Sequence, residues 1–268
     1  MTLFDESERR IWAGSARAYA DSFAKLCAYP VERLLDVAGV GAGARVLDAG
    51  TGAGAVAVAA CARGAKVSAV DAEPGMVELA RQAAPAADVQ VAALPELPFA
   101  DGEFDAVVGN FVLNHVGRPR QALAELRRVT RPGGTVAVTI WASPPAPGQA
   151  LIGRAIQAAG VQRPSDLPAL APEDDFPRTE RGFADLLASA GLAEAACEAL
   201  SWDHRTDLEE WWSGPASGVA TIGKIVVGQT PETRAEIKRR LVDLSAEFSG
   251  PDGSLLLPHV ALLAAARA

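Results

Sequence analysis

The chain has 268 residues, 49% hydrophobic and 22% charged, with 33 acidic against 25 basic side chains and a formal net charge of −8. This composition excludes a disordered tail, a collagen-like rod and a disulfide miniprotein. The acidic balance, without a run of Lys and Arg, disfavours nucleic acid and leaves a small molecule as the expected partner. Cys27, Cys61 and Cys197 are widely spaced and form no CxxC pair, which points to reduced thiols in a cytoplasmic protein and away from a zinc site. The polar, acidic first ten residues do not read as a signal peptide, and no apolar run approaches the roughly 20 residues a membrane helix needs, so no membrane partner is expected.

Residues 1–38 read as helical, with Ile11, Trp12, Ser15, Ala16 and Tyr19 on one face and Phe23 and Leu26 continuing it. The texture then changes to short apolar runs alternating with ten-residue helical patterns. Strands are expected at 44–49, 66–70, 89–93, 104–109 and 135–140, with helices at 53–63, 74–84 and 120–130 between them. Such alternation requires crossovers and hence a parallel sheet. A Pro-rich stretch from Trp141 to Arg178, carrying one helix at 149–159, reads as a cover. The stripe Phe183, Leu186, Leu187, Ala190 is helical and stops at Gly191. A sixth strand is expected at 193–202, a seventh at 259–267, and two helices between 207 and 250, one around Trp211 and Trp212 and one from Pro231 to Phe248. Three parts follow: a helical cap at 1–40, a nucleotide-binding core at 41–141, and the rest of the core with cap insertions (141–178 and 207–250) at 142–268.

The segment Val46-Leu47-Asp48-Ala49-Gly50-Thr51-Gly52-Ala53-Gly54 places a glycine-rich turn between the first strand and the first crossover helix. Glycines there permit positive φ and close approach of a ligand to main chain at a helix N-terminus. Asp71 ends the second strand, where a carboxylate can accept both hydroxyls of a ribose; together the two features imply an adenosine-containing ligand. By spacing alone Gly50-x-Gly52-x-x-Ala55 also satisfies a nicotinamide dinucleotide fingerprint. Three further features favour another ligand: Asp48 before the first glycine, LPFADGEFD at 97–105, and the Arg131-Pro132-Gly133-Gly134 turn.

Taken with VDAEPGM at 70–76 and LRRVTRPGGTVAV at 126–138, these motifs resemble the class I S-adenosylmethionine-dependent methyltransferases, in particular the small-molecule branch with the ubiquinone and menaquinone C-methyltransferases. The resemblance covers residues 44–140. It implies an α/β, Rossmann-like seven-stranded sheet with helices on both faces and the last strand antiparallel, S-adenosylmethionine as cofactor and S-adenosylhomocysteine as product. By position, Gly50, Thr51, Gly52 and Gly54, with Asp48, would border the methionine part; Asp71 would take the ribose, Ala72 and Met76 the adenine, and Asn110 and Phe111 the amino group and sulfonium. Tyr19 matches a tyrosine that closes over the cofactor. Ala93, followed by Leu94, stands where many relatives carry an acid that accepts from the adenine amino group; losing that bond weakens binding by about 1 kcal/mol.

Methyl transfer from a sulfonium mainly needs in-line positioning and exclusion of water. His115, just past the fourth strand, is the candidate general base and His204 a weaker one; His259 reads as structural. Trp12, Tyr19, Trp202, Trp211 and Trp212 are candidate walls for a flat, neutral or apolar acceptor. Because Trp211 and Trp212 diverge by about 100° on a helix, only one of them faces a pocket. The alternatives are a non-catalytic cofactor-binding module and a nicotinamide-dependent oxidoreductase; a homodimer is compatible with the helical cap.

Overall fold

A computed structural model describes residues 1–165, 167–250 and 252–268. Asp166, inside the expected 141–178 cover, lies outside the described residues. The N-terminal region, which reads as continuously helical, is four helices: α1 (Leu3–Trp12), α2 (Ala16–Ala20), α3 (Ala24–Cys27) and α4 (Val31–Val37). Thr2 and Asp5 cap α1 reciprocally, Thr2 Oγ1 accepting from Asp5 N and the Asp5 carboxylate from Thr2 N. Gly14, at φ +70°, and Pro30 interrupt the run.

Six elements then alternate: β1 (Arg45–Ala49), α5 (Ala55–Ala62), β2 (Lys66–Asp71), α6 (Pro74–Ala83), β3 (Asp88–Val91) and β4 (Phe104–Asn110). A 3₁₀ turn at Val112–His115 leads to α7 (Pro119–Val129) and β5 (Thr130–Trp141); next come α8 (Leu151–Ala158), α9 (Glu180–Ser189) and β6 (Ala193–Thr206). Helices α10 (Leu208–Ala216), α11 (Ala220–Val227) and α12 (Pro231–Ser245) precede β7 (Leu255–Arg267). The sheet order is β3-β2-β1-β4-β5-β7-β6, parallel except for β7, which runs antiparallel to both neighbours.

Successive residues of the central strands feed opposite cores, as period-two geometry demands. Leu47, Val107, Val136 and Val138 pack beneath α7 and α9 with Leu123, Leu126, Phe183 and Leu187. Their neighbours Val46, Val108 and Ala137 join Leu34, Leu35, Val56, Val77 and Ala80 on the other face, under α4, α5 and α6. Burial on both faces explains why these strands read as continuous apolar runs. A third core, Leu26, Leu151, Ile152, Trp211, Ile237 and Leu241, holds the cap.

Two expectations are corrected. The 207–250 region holds three helices rather than two, because Ala220–Val227 is helical. Its β-branched sequence ATIGKIVV scores poorly as helix, but Ile225 and Val226 bury against the cap and override that propensity. The last strands also run beyond 193–202 and 259–267. They extend as a ribbon to Thr206↔Leu255, leaving the sheet and entering the cap. There β6 alternates between exposed and covered residues, with no apolar run to announce it.

Candidate functional site

Strand order reverses between β1 and β4, and a crevice opens at the carboxyl edge there. Gly50, Gly52 and Gly54 all have positive φ, at +77°, +55° and +91°. Gly50 N and Thr51 N both donate to Val70 O, at 2.8 and 2.9 Å, which folds the loop across the end of β2. A Cβ on Gly50 would lie 2.4 Å from Val112 Cγ2, and one on Gly54 would lie 3.0 Å from Ala80 Cα. The first glycine therefore lets the 3₁₀ turn approach, and the third lets α5 pack on α6.

Asp48 is fully buried. Its Oδ2 accepts from Thr51 Oγ1 at 2.6 Å, Oδ1 has no partner, and burial pushes its pKa up to about 7. Asp71 stands at the crevice: Oδ2 accepts from Gly52 N at 2.9 Å and Oδ1 from Glu73 N at 3.0 Å. Burial raises its pKa against those two bonds. Each of its oxygens keeps a lone pair, so the carboxylate can take two further donors such as vicinal hydroxyls.

Above the crevice lies a cavity of about 550 Å³. The structure brings Trp12, Tyr19, Gly50, Gly52, Asp71, Ala72, Met76, Ala93, Leu94, Asn110, Phe111, His115 and Trp211 onto its wall. Asn110 is locked: its Nδ2 donates to Cys27 O and its Oδ1 accepts from Thr139 Oγ1, both at 2.7 Å. Phe111, at φ +61°, stacks on Trp141 with centroids 4.1 Å apart. His115 Nδ1 lies 2.7 Å from Glu8 Oε2, and the Trp12 indole N–H points at the same carboxylate from 3.2 Å.

Other expected site residues lie off that wall. Asp48, Thr51 and Gly54 sit behind it and shape the loop. His204 is buried away from the cavity among Tyr29, Trp211 and His259, its Nδ1 unpartnered and its pKa lowered by burial. Trp202 stacks on Tyr29 outside the wall. Of the adjacent tryptophans Trp211 faces the cavity, while Trp212 packs into the cap core.

The wall also carries residues outside the expected site set, among them Glu8, Trp141, Gln149 and His259. Glu8 is one helical turn from Trp12, a spacing visible in the sequence, but its partner His115 is 107 residues distant. His259 begins the expected seventh strand and reads as structural, because nothing local records that its pairing with Trp202 turns it onto the cavity wall.

The residues present fit an adenosine-containing sulfonium cofactor. Two positive-φ glycines, one of which has no room for a Cβ, supply bare main chain, and Asp71 supplies a carboxylate at the correct edge. Met76, Ala93 and Leu94 supply apolar flanks. No helix among the described residues is long and apolar enough to cross a membrane.

Comparison with known proteins agrees. Residues 47–138 match the family described as "Methyltransferase domain". An uncharacterized protein of Mycobacterium tuberculosis is 29% identical over 241 residues, covering 87% of this chain and 85% of that protein. Demethylmenaquinone methyltransferase of Clavibacter sepedonicus is 42% identical over 110 residues, 40% of this chain and 44% of the relative. In fold, the chain is similar to a SAM-dependent methyltransferase from Thermotoga maritima, with TM-score 0.57 and 15% identity over 97% of this chain and all of that one. With residues 47–138 matched to a methyltransferase domain the nicotinamide alternative falls, and the cofactor is S-adenosylmethionine. The chain carries a methyltransferase domain and is an S-adenosylmethionine-dependent methyltransferase.

Proposed function

We propose that the enzyme methylates a small, neutral organic acceptor, chiefly by positioning and desolvation, with His115 as general base. One observation carries this reading: a single cavity holds the Asp71–Gly52 cradle and an aromatic wall of Phe111, Trp141 and Trp211. When bound, S-adenosylmethionine supplies an electrophilic methyl on a cationic sulfur.

Asp71 holds the ribose hydroxyls, and the main chain at Gly50 and Gly52 borders the methionine part. Ala72, Met76, Ala93 and Leu94 flank the adenine. Ala93 offers no carboxylate there, so the ring's polar contacts fall to backbone. Asn110 and Phe111 face the sulfonium end. Trp12 and Tyr19 close the cavity from the N-terminal helices, while α8, α10 and α11 roof it and keep water out. The wall's apolar character and the net charge of −8 favour a neutral acceptor over a phosphorylated one or a nucleic acid.

His115 takes the acceptor's proton at Nε2 while Nδ1–H remains on the Glu8 carboxylate, which also stabilises the imidazolium that forms. The test is a melting-temperature series followed by an acceptor panel with labelled cofactor. S-adenosylmethionine and S-adenosylhomocysteine should each raise Tm while nicotinamide dinucleotides do not, and a neutral aromatic or aliphatic acceptor should take up label. The opposite ranking of cofactors would refute the reading.

A further inference from the structure

His259 lies at the end of the cavity away from Asp71, on the ribbon where β7 pairs with β6 (Trp202↔His259), and its ring is only 1% exposed. Nδ1 is 2.8 Å from Leu257 O. A carbonyl only accepts, so Nδ1 carries the proton and Nε2 is a bare lone pair. Nε2 has no partner among the described residues. It is also not sealed in protein as Trp202 Nε1, His204 Nδ1 and Trp211 Nε1 are, so it opens on the cavity. Around it stand flat apolar surfaces: Trp141 at 5.9 Å, Trp202 stacked at 21°, and Trp211 edge-on at 5.6 Å. Burial first, then the neighbouring His204, holds the ring neutral, with a pKa of about 4.

Resting on the proposed methyl transfer, we infer that His259 Nε2 is the specificity-determining hydrogen-bond acceptor of the acceptor subsite, and that it selects a flat aromatic acceptor bearing a ring hydroxyl or N–H. A neutral acceptor atom enclosed by aromatic rings is left unpaired by a ligand without a donor, and that penalty sets the discrimination. The same enclosure disfavours carboxylate or phosphate ligands, since an anion brings no donor to Nε2 and the ring does not protonate at neutral pH. His259 is here a positioning residue; the proton leaves toward His115.

The test uses the full chain saturated with S-adenosylhomocysteine and two probes, 2-naphthol and 2-methoxynaphthalene, titrated by tryptophan fluorescence. Wild type should bind the naphthol about tenfold tighter. His259→Phe should abolish that preference by weakening the naphthol alone, and His259→Gln, which keeps an acceptor oxygen, should recover part of it. Calorimetric titration of S-adenosylhomocysteine on each variant confirms folding and separates the two ideas: no nucleoside binding to wild type refutes the proposed function. Nucleoside binding without naphthol preference in wild type, or with the preference intact in His259→Phe, overturns the inference.

Discussion

The backbone N–H of Gly52 donates to Asp71 Oδ2 at 2.9 Å, so the glycine loop after β1 and the carboxylate ending β2 form one unit. Asp71 thus both shapes the loop and presents lone pairs to the cavity.

Asp71→Ala should therefore weaken S-adenosylhomocysteine binding by about 1–3 kcal/mol, the range for charge-assisted bonds lost together with a loop contact. Isothermal titration measures this directly. Affinity within twofold of wild type would remove Asp71 from the cofactor site.

The two loop glycines should respond differently. Gly50→Ala places a methyl 2.4 Å from Val112 Cγ2 at φ +77°, whereas Gly52→Ala meets only Tyr19 Cε1 at 3.5 Å. The first should cost at least about 2 kcal/mol of stability through combined clash and left-handed strain, and the second about 1. Adding Val112→Ala to Gly50→Ala should recover the part due to the clash. Urea unfolding of wild type and the three variants checks the order.

Asp48 links stability to pH. Its folded pKa is raised, to about 7 from an ordinary 3.8. The folded state therefore holds a proton that the unfolded state has lost, and the stabilisation is fully present below pH 3.8 and disappears as pH rises to about 7. Above that the buried anion costs about 4 kcal/mol, an order-of-magnitude figure from the size of the shift. Asp48→Asn keeps an oxygen for Thr51 and removes the charge. It should match wild type near pH 4 and exceed it at pH 8 in denaturant midpoints; equal midpoints at pH 8 would contradict the assignment.

If His115 is the base, His115→Ala should reduce kcat about a hundredfold with cofactor affinity retained. Glu8→Gln should reduce it less, because the amide oxygen still holds the imidazole N–H but no longer brings a charge beside it. Unchanged turnover in His115→Ala would dismiss it.

The core was legible where local pattern and tertiary role coincide. Strands such as Val46–Leu47 and Val107–Val108 bury both faces, so their apolar runs survive in the sequence. Gly50, Gly52 and Asp71 lie within 21 positions of one another, and their spacing follows from one βαβ unit. The ribbon and α11 were not legible, because a hydrogen-bonded partner strand stabilises one and a cap core the other against weak local signals.

What the sequence alone determined is the parallel half of the sheet and the side of the crevice built from it, since backbone conformation and short-range burial are encoded by neighbouring residues. Only the tertiary structure decided which long-range side chains complete the cavity. Glu8 reaches His115 across 107 positions, and Trp211 rather than Trp212 turns inward beside His259. Such contacts are selected by the packing of separate layers against one another, which no local periodicity records.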